Sequence, residues 1–201
     1  MTLATYSINK KYSILFPYTK KINKVIHIFL YLNNNFTNTS ELIHYYYDKK
    51  WYKFNIDRLN YDILSNISLI FNKGKPHIFY IKKTDSGSDI YTTCFDPLKR
   101  KYSKLKQITK NNKSKVYLST IYFNNEYHIC FSEKNDDKYY CTYAKYSSDF
   151  NCTEYTHLSH NLLCEFPHFI LENNSLKIIW REYNQILKKE IIKKKNYTLT
   201  I

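Results

Sequence analysis

Short apolar runs alternate with polar stretches rich in Asn, Lys, Asp and Ser along all 201 residues, and four of the runs share one frame. They are VIHIFLY at 25–31, PHIFYI at 76–81, YHICFS at 127–132 and LKIIWR at 176–181. Aligned on Ile28, Ile78, Ile129 and Ile178, they recur at intervals of 50, 51 and 49 residues, the kind of period that marks a repeated supersecondary unit. The flanks agree in three repeats. Ile70, Ile121 and Ile170 precede His77, His128 and Lys177 by seven residues and close the runs ISLIF, LSTIYF and PHFIL, which lead into the polar turns NKGK, NNE and ENNS. An apolar run, a tight Asn/Gly turn and a second run predict a β-hairpin. In the first repeat Lys20 takes the matching position, so YSILF at 12–16 is expected to be the first strand, with a longer loop after it.

Each repeat continues into a third expected strand, LIHYYY at 42–47, IYTTCF at 90–95, KYYCTY at 138–143 and ILKKEI at 186–191. A more polar fourth follows: WYKFNI at 51–56, YSKLKQI at 102–108, EYTHLS at 154–159 and YTLTI at 197–201. A short helix is expected at Tyr61 to Ser65. Hairpin-linked strands at this spacing suit a sandwich, a barrel or a propeller. The second strands decide between them, because Ile28, Leu30, Ile78, Tyr80, Ile129, Phe131, Ile178 and Trp180 line one face while Phe29, Phe79, Cys130 and Ile179 line the other. A sheet apolar on both faces is covered on both, as a propeller blade is by its neighbours. The expected fold is therefore all-β, a single propeller domain over 1–201 with four-stranded blades at about 11–57, 66–109, 115–159 and 165–201. Four blades close into a ring alone, or form half of a larger ring completed by a second copy, a homodimer.

Composition supports strands: 22 Tyr and 12 Phe against 2 Gly and 4 Pro favour a pleated surface over helix. The formal charge of +14 would ordinarily suggest nucleic acid or an anionic membrane. Only three of the 31 basic residues are arginines (Arg58, Arg100, Arg181), whereas base and phosphate readout favour Arg, so no specific nucleic-acid partner is expected. Lys193 to Lys195 and the run from Lys99 to Lys106 read as solvated edges that discourage sheet-to-sheet pairing. The longest apolar run, Val25 to Leu32, is far short of a membrane span. Five cysteines (Cys94, Cys130, Cys141, Cys152, Cys164) leave one unpaired and show no C-x-x-C spacing, which together with the lack of a secretory h-region predicts a cytoplasmic protein without a membrane partner.

The segment from Ile26 to Phe29 with Leu42 to Trp51 (IHIF, then LIHYYYDKKW) resembles the blade of lectin-like propellers. The segments Phe166 to Phe169, His128 to Glu133 and Trp180 to Asn184 are similar to those repeated in uncharacterised clostridial propeller proteins. In lectin propellers an Arg, a Glu and an aromatic ring hold the sugar between blades. What that resemblance implies here is a ligand-binding set of Trp180, Arg181, Glu182 and Asn184, with Glu133 matching Glu182 one repeat earlier and Ser132 in place of the arginine.

Catalysis and metal binding find less support. His27, His77 and His128 share one repeat position, but a second strand is too far from the axis for them to share an ion at about 2 Å, so they are expected to be satisfied between blades, with no metal or cofactor. Glycoside hydrolysis needs two facing carboxylates, and Asp85, Asp89, Asp136 and Asp137 are read as turn residues. A Cys–His pair could meet only in space. Trp51 is expected to anchor the first blade. The sequence thus predicts a non-enzymatic interaction scaffold with a protein partner, with a glycan-binding, lectin-like module as the alternative, and disfavours a glycosidase.

Overall fold

The computed structural model describes residues 12–34, 36–37, 39–59, 67–159, 164–173, 175–184 and 189–197. The expected helix at Tyr61 to Ser65 and the end of the fourth repeat lie outside them. All regular structure among these residues is antiparallel β, in two compact units, Met1–Leu64 and Ser65–Ile201.

The first unit is one meander, β1 (Tyr12–Ile22), β2 (Val25–Asn34), β3 (Thr39–Asp48) and β4 (Lys50–Leu59), paired in chain order. No long loop replaces the hairpin here. The strand β1 runs through the lysine, and Lys20 pairs with His27 as Ile70 pairs with His77 and Ile121 with His128. Thr19 and Lys20 are exposed, so a polar residue costs little at this position, and ladder hydrogen bonds keep the register despite the break in the apolar pattern. Trp51 anchors nothing central. It lies on the outermost strand, is 50% exposed and packs on Tyr47 at 5.0 Å.

The second unit holds three more sheets. Blade two comprises β5 (Ile67–Asn72), β6 (Lys75–Thr84) and β7 (Gly87–Asp96), with the outer strand broken into β8 (Lys101–Tyr102) and β9 (Lys106–Gln107), both paired to β7. Blade three is β10 (Lys115–Phe123), β11 (Glu126–Asn135), β12 (Lys138–Tyr146) and β13 (Cys152–His157). In blade four, β14 (Cys164–Glu172), β15 (Ser175–Asn184) and β16 (Lys189–Tyr197) form three described strands. The third strand of this blade runs to Tyr197, which pairs with Leu176, rather than stopping at 191. Its polar run KKKNY is exposed at Lys193 to Asn196 and carries no apolar signal, yet a backbone ladder needs none.

The predicted turns are two-residue hairpins. Lys73 and Gly74 (φ 48° and 75°) and Asn124 and Asn125 (48° and 61°) are all left-handed, the conformation whose twist suits adjoining strands. Two apolar clusters then fill the unit. One joins Phe79, Ile81 and Ile90 to Leu118, Ile129 and Phe131, and the other joins Cys130 and Tyr143 to Phe169, Ile178 and Trp180. Successive residues of β11 enter opposite clusters, so the strand is packed on both faces as its pattern predicts. Each buried Phe or Ile side chain contributes about 1.5–3 kcal/mol. The first strands are tied as well: Ser68 Oγ lies 2.7 Å from Thr120 Oγ1 and accepts the Thr120 amide at 3.0 Å.

Candidate functional site

The first strands of blades three and four carry the same irregularity. The ladder slips between Val116 and Ser119 in β10 and between Glu165 and His168 in β14. Lys115 faces Glu133 and Cys164 faces Glu182, so the residues two places on, Tyr117 and Phe166, are equivalent. Both are left-handed, at φ 59° and 50°. This conformation is an outlier for a bulky residue and costs about 1–2 kcal/mol each. A bulge of this type re-aims a side chain. The two rings meet with centroids 4.3 Å apart, and the Arg181 guanidinium lies over the Phe166 ring at 5.1 Å.

Arg181 also donates to the Glu165 carboxylate, with the two side chains 38% and 30% exposed. Phe166 is 52% exposed. Burial raises the Tyr117 phenol above its ordinary value, the Glu165 carboxylate adds to the rise, and Arg181 opposes it. The result is a solvent-reachable patch of two aromatic rings, a guanidinium and a carboxylate.

The residues picked from the sequence do not converge there. Alternation along β15 divides them: Trp180 is buried in the cluster between blades three and four and its Nε1 donates to Glu182 Oε1 at 2.7 Å, while Arg181 turns to the other face and Glu165. The backbone of Asn184 pairs with Lys189, and its side chain lies outside the described residues. Glu133 faces blade two. Arg181 alone of the four whose side chains are described belongs to the aromatic patch, and Tyr117, Phe166 and Glu165 were missed because a bulge is set by pairing with β11 and β15. The departure from apolar alternation at EFPHF was the available signal.

Glu133 belongs to a second, enclosed cluster. Asp89 is not a turn residue: it sits in β7, fully buried. The Lys115 ammonium lies 3.3 Å from Asp89 Oδ1 and 3.8 Å from Glu133 Oε2, with all three side chains at 0% exposure. Lys115 Nζ donates to the Ser88 carbonyl at 2.6 Å, Asn111 Oδ1 at 2.6 Å and the Lys113 carbonyl at 2.8 Å. Asp89 accepts from Thr109 Oγ1 and Gln107 Nε2, both at 2.9 Å. Glu133 Oε2 accepts from Tyr155 at 2.5 Å and Asn111 at 2.7 Å. Glu133 Oε1 makes no hydrogen bond, with His157 Nε2 at 3.9 Å and Lys113 Nζ at 4.0 Å. Burial pulls the Lys115 pKa down, against the pull of the two carboxylates. With its three ions fully buried, this network ties blade two to blade three.

The three repeat histidines have different partners. His27 Nδ1 is 3.1 Å from His44 Nε2, His77 lies between Cys94 and Tyr127, and His128 Nδ1 is 2.8 Å from the Tyr143 hydroxyl. Among the described residues no group of three His, Cys, Asp or Glu side chains is placed to hold a metal ion.

No protein-family model and no curated protein matches the chain. Solved structures do. The chain is similar to a GH43 endo-arabinanase from Bacillus licheniformis, at 17% identity and TM-score 0.52 over 91% of this chain and 73% of that one. It is similar to an endo-arabinase from Bacteroides thetaiotaomicron (12%, TM-score 0.56, 92% and 75%) and to an endo-1,4-beta-xylanase from the same organism (14%, TM-score 0.54, 94% and 72%). These likenesses correct the expectation of a non-enzymatic scaffold or lectin-like module, since the three structures similar over nine-tenths of the chain are named as an endo-arabinanase, an endo-arabinase and an endo-1,4-beta-xylanase, and they do not carry the lectin-like identity that the first repeat implied. By fold, the chain is an all-β propeller protein built from four blades.

Proposed function

We propose that the chain is a carbohydrate-active propeller of the glycoside-hydrolase kind, acting on a pentose polysaccharide of the arabinan or xylan class, with Tyr117, Phe166, Arg181 and Glu165 contacting the sugar. The observation that carries this reading is the pair of bulged, left-handed aromatics that meet beside an Arg–Glu pair. Backbone strain persists where the surrounding structure over-determines it, and it clusters at functional positions. An exposed ring offers a stacking face with little conformational entropy to lose, and the adjacent guanidinium and carboxylate supply a donor and an acceptor for hydroxyl groups. The similar solved structures, two named as arabinanases and one as a xylanase, supply the substrate class.

Glycoside hydrolysis needs one carboxyl group to protonate the leaving oxygen and a second to act as base or nucleophile, about 5–10 Å away. Glu165 is the solvent-reachable carboxylate of the patch, and it is assigned the proton-transfer role there.

The test is release of reducing ends from linear arabinan and from xylan by the purified chain. Glu165→Gln is expected to lower kcat by about a hundredfold or more, and Phe166→Ala to raise KM with a smaller effect on kcat. Wild-type protein that releases nothing from either polymer, or Glu165→Gln with full activity, sinks the assignment.

A further inference from the structure

We propose that Cys94 is a nucleophilic thiol, with His77 as its general base and Tyr127 positioning the imidazole, and that it forms a mixed disulfide by taking one RS sulfur from low-molecular-weight disulfides. This proposal is independent of the glycosidase reading, since its residues lie elsewhere in the unit.

The arrangement follows from register. His77 and Cys94 are directly opposite partners in the β6–β7 ladder, which puts both side chains on one face with Cβ atoms about 5 Å apart. Cys94 Sγ lies 3.3 Å from His77 Nε2, and the next acceptor for the thiol, the Phe95 carbonyl, is at 3.6 Å. Across the wedge, the Tyr127 hydroxyl from β11 is 3.1 Å from His77 Nδ1 and 3.5 Å from Nε2, and the Asn72 amide donates to that hydroxyl at 3.4 Å. In the tautomer that carries its proton on Nδ1, facing the Tyr127 oxygen at the shorter distance, Nε2 presents its lone pair to the thiol at 3.3 Å. A nucleophile within reach of a base that a third group orients is the general signature of an activated side chain.

The backbone at the thiol is pinned as well: the Cys94 amide donates to Ser103 Oγ at 3.0 Å, and the Ser103 amide donates to the Cys94 carbonyl at 2.8 Å. Both Cys94 and His77 are half-buried. Of the other thiols, Cys130, Cys141 and Cys164 are fully buried and Cys152 is exposed without such a partner set.

The charged and titratable groups around the pair are Lys75 and Asp96 at the near end of the blade, Tyr102 on β8, and Tyr122 beside Tyr127. Burial, with Lys75 adding to it, lowers His77 to about 4, so its imidazole is neutral near pH 7. Burial raises Cys94 to about 11, against the pull of Lys75. The resting state is therefore thiol and neutral imidazole, and activation must come at the moment of attack. His77 Nε2 takes the thiol proton as Sγ bonds to one sulfur of the disulfide. The reagent's S–S bond breaks, and its departing thiolate takes the proton from the imidazolium. Cys94 ends as a mixed disulfide, and the reagent is reduced to one free thiol, with no further oxidant.

Oxidised glutathione is the probe, applied to the full chain carrying Cys152→Ser, with the adduct located by peptide mass mapping and its rate followed by intact mass. One adduct at Cys94 is expected, with a rate nearly flat between about pH 6 and 8, whereas an unassisted thiol of high pKa reacts about tenfold faster per pH unit. His77→Gln is expected to slow the reaction by about tenfold or more and to restore that slope. The absence of a Cys94 adduct, or a tenfold-per-unit slope in the His77 protein, overturns the proposal; if His77→Gln does not fold, the slope in the His77 protein decides by itself.

Discussion

Replacing Lys115 by Met tests whether the buried network holds blades two and three together. The substitution keeps an unbranched side chain, one heavy atom shorter, and removes its charge, leaving Asp89 and Glu133 both at 0% exposure with no cation between them. It also removes the donor from the Ser88 and Lys113 carbonyls and from Asn111 Oδ1. Breaking a buried ion network by removing one partner costs about 3–5 kcal/mol, because the charge left behind is uncompensated. In a protein of this size each kcal/mol lowers Tm by about 2–4 °C, so a fall of about 6–20 °C is expected near pH 7.

A triple variant that adds Asp89→Asn and Glu133→Gln is expected to recover most of the loss. Thermal and urea unfolding followed by near-ultraviolet circular dichroism would read all three proteins. A loss in Lys115→Met below about 1 kcal/mol, or a triple variant no more stable than Lys115→Met, would refute a network closed to solvent.

Two further outcomes follow, one from a single glycine and one from a pair of histidines. A Cβ at Gly87 would lie 1.6 Å from the Asn112 carbonyl oxygen, so Gly87→Ala must displace the loop that delivers Lys115, and a loss of about 1–3 kcal/mol in urea unfolding is expected; unchanged stability would mean the close approach is absent. In the first unit, burial lowers His27 to about 4 and His44 to about 3, with His27 adding to the effect on His44. Unfolded histidines take up protons below about pH 6.5 while these do not, so the stability of this unit is complete above that value and declines as pH falls toward 4, at up to about 1.4 kcal/mol per pH unit per histidine. His27→Phe together with His44→Phe, if it folds, should flatten that decline in hydrogen-exchange protection of β2 and β3, and a slope unchanged in the double variant would remove the histidines as its cause.

The repeat, the hairpins and the all-β class were legible from the chain because they are local. An apolar run, a two-residue turn and a second run lie within about twenty residues, and the period near 50 residues only copies that unit. Packing of β11 on both faces was legible for the same reason, since alternate residues of one strand report on both sides. Where the pattern weakened, it misled. Lys20 interrupts an apolar run and yet pairs in register, and KKKNY forms ladder bonds with no apolar residue to mark it.

The sites required more than the chain order offers. Trp180, Arg181 and Glu182 are contiguous, and alternation sends Arg181 to the face opposite Trp180 and Glu182. Asp89 has the composition of a turn around it, and two-residue closure at Asp85 and Ser86 leaves it inside a strand. Tyr117 and Phe166 are 49 residues apart and meet only because each bulges toward the other; Cys94 and His77 meet through register, and Tyr127 joins them from another blade. Sequence by itself determined the repeating unit, because the backbone's period and turn geometry act between near neighbours. Tertiary structure decided which side chains share a site, because pairing register and blade packing bring together residues that no local rule connects.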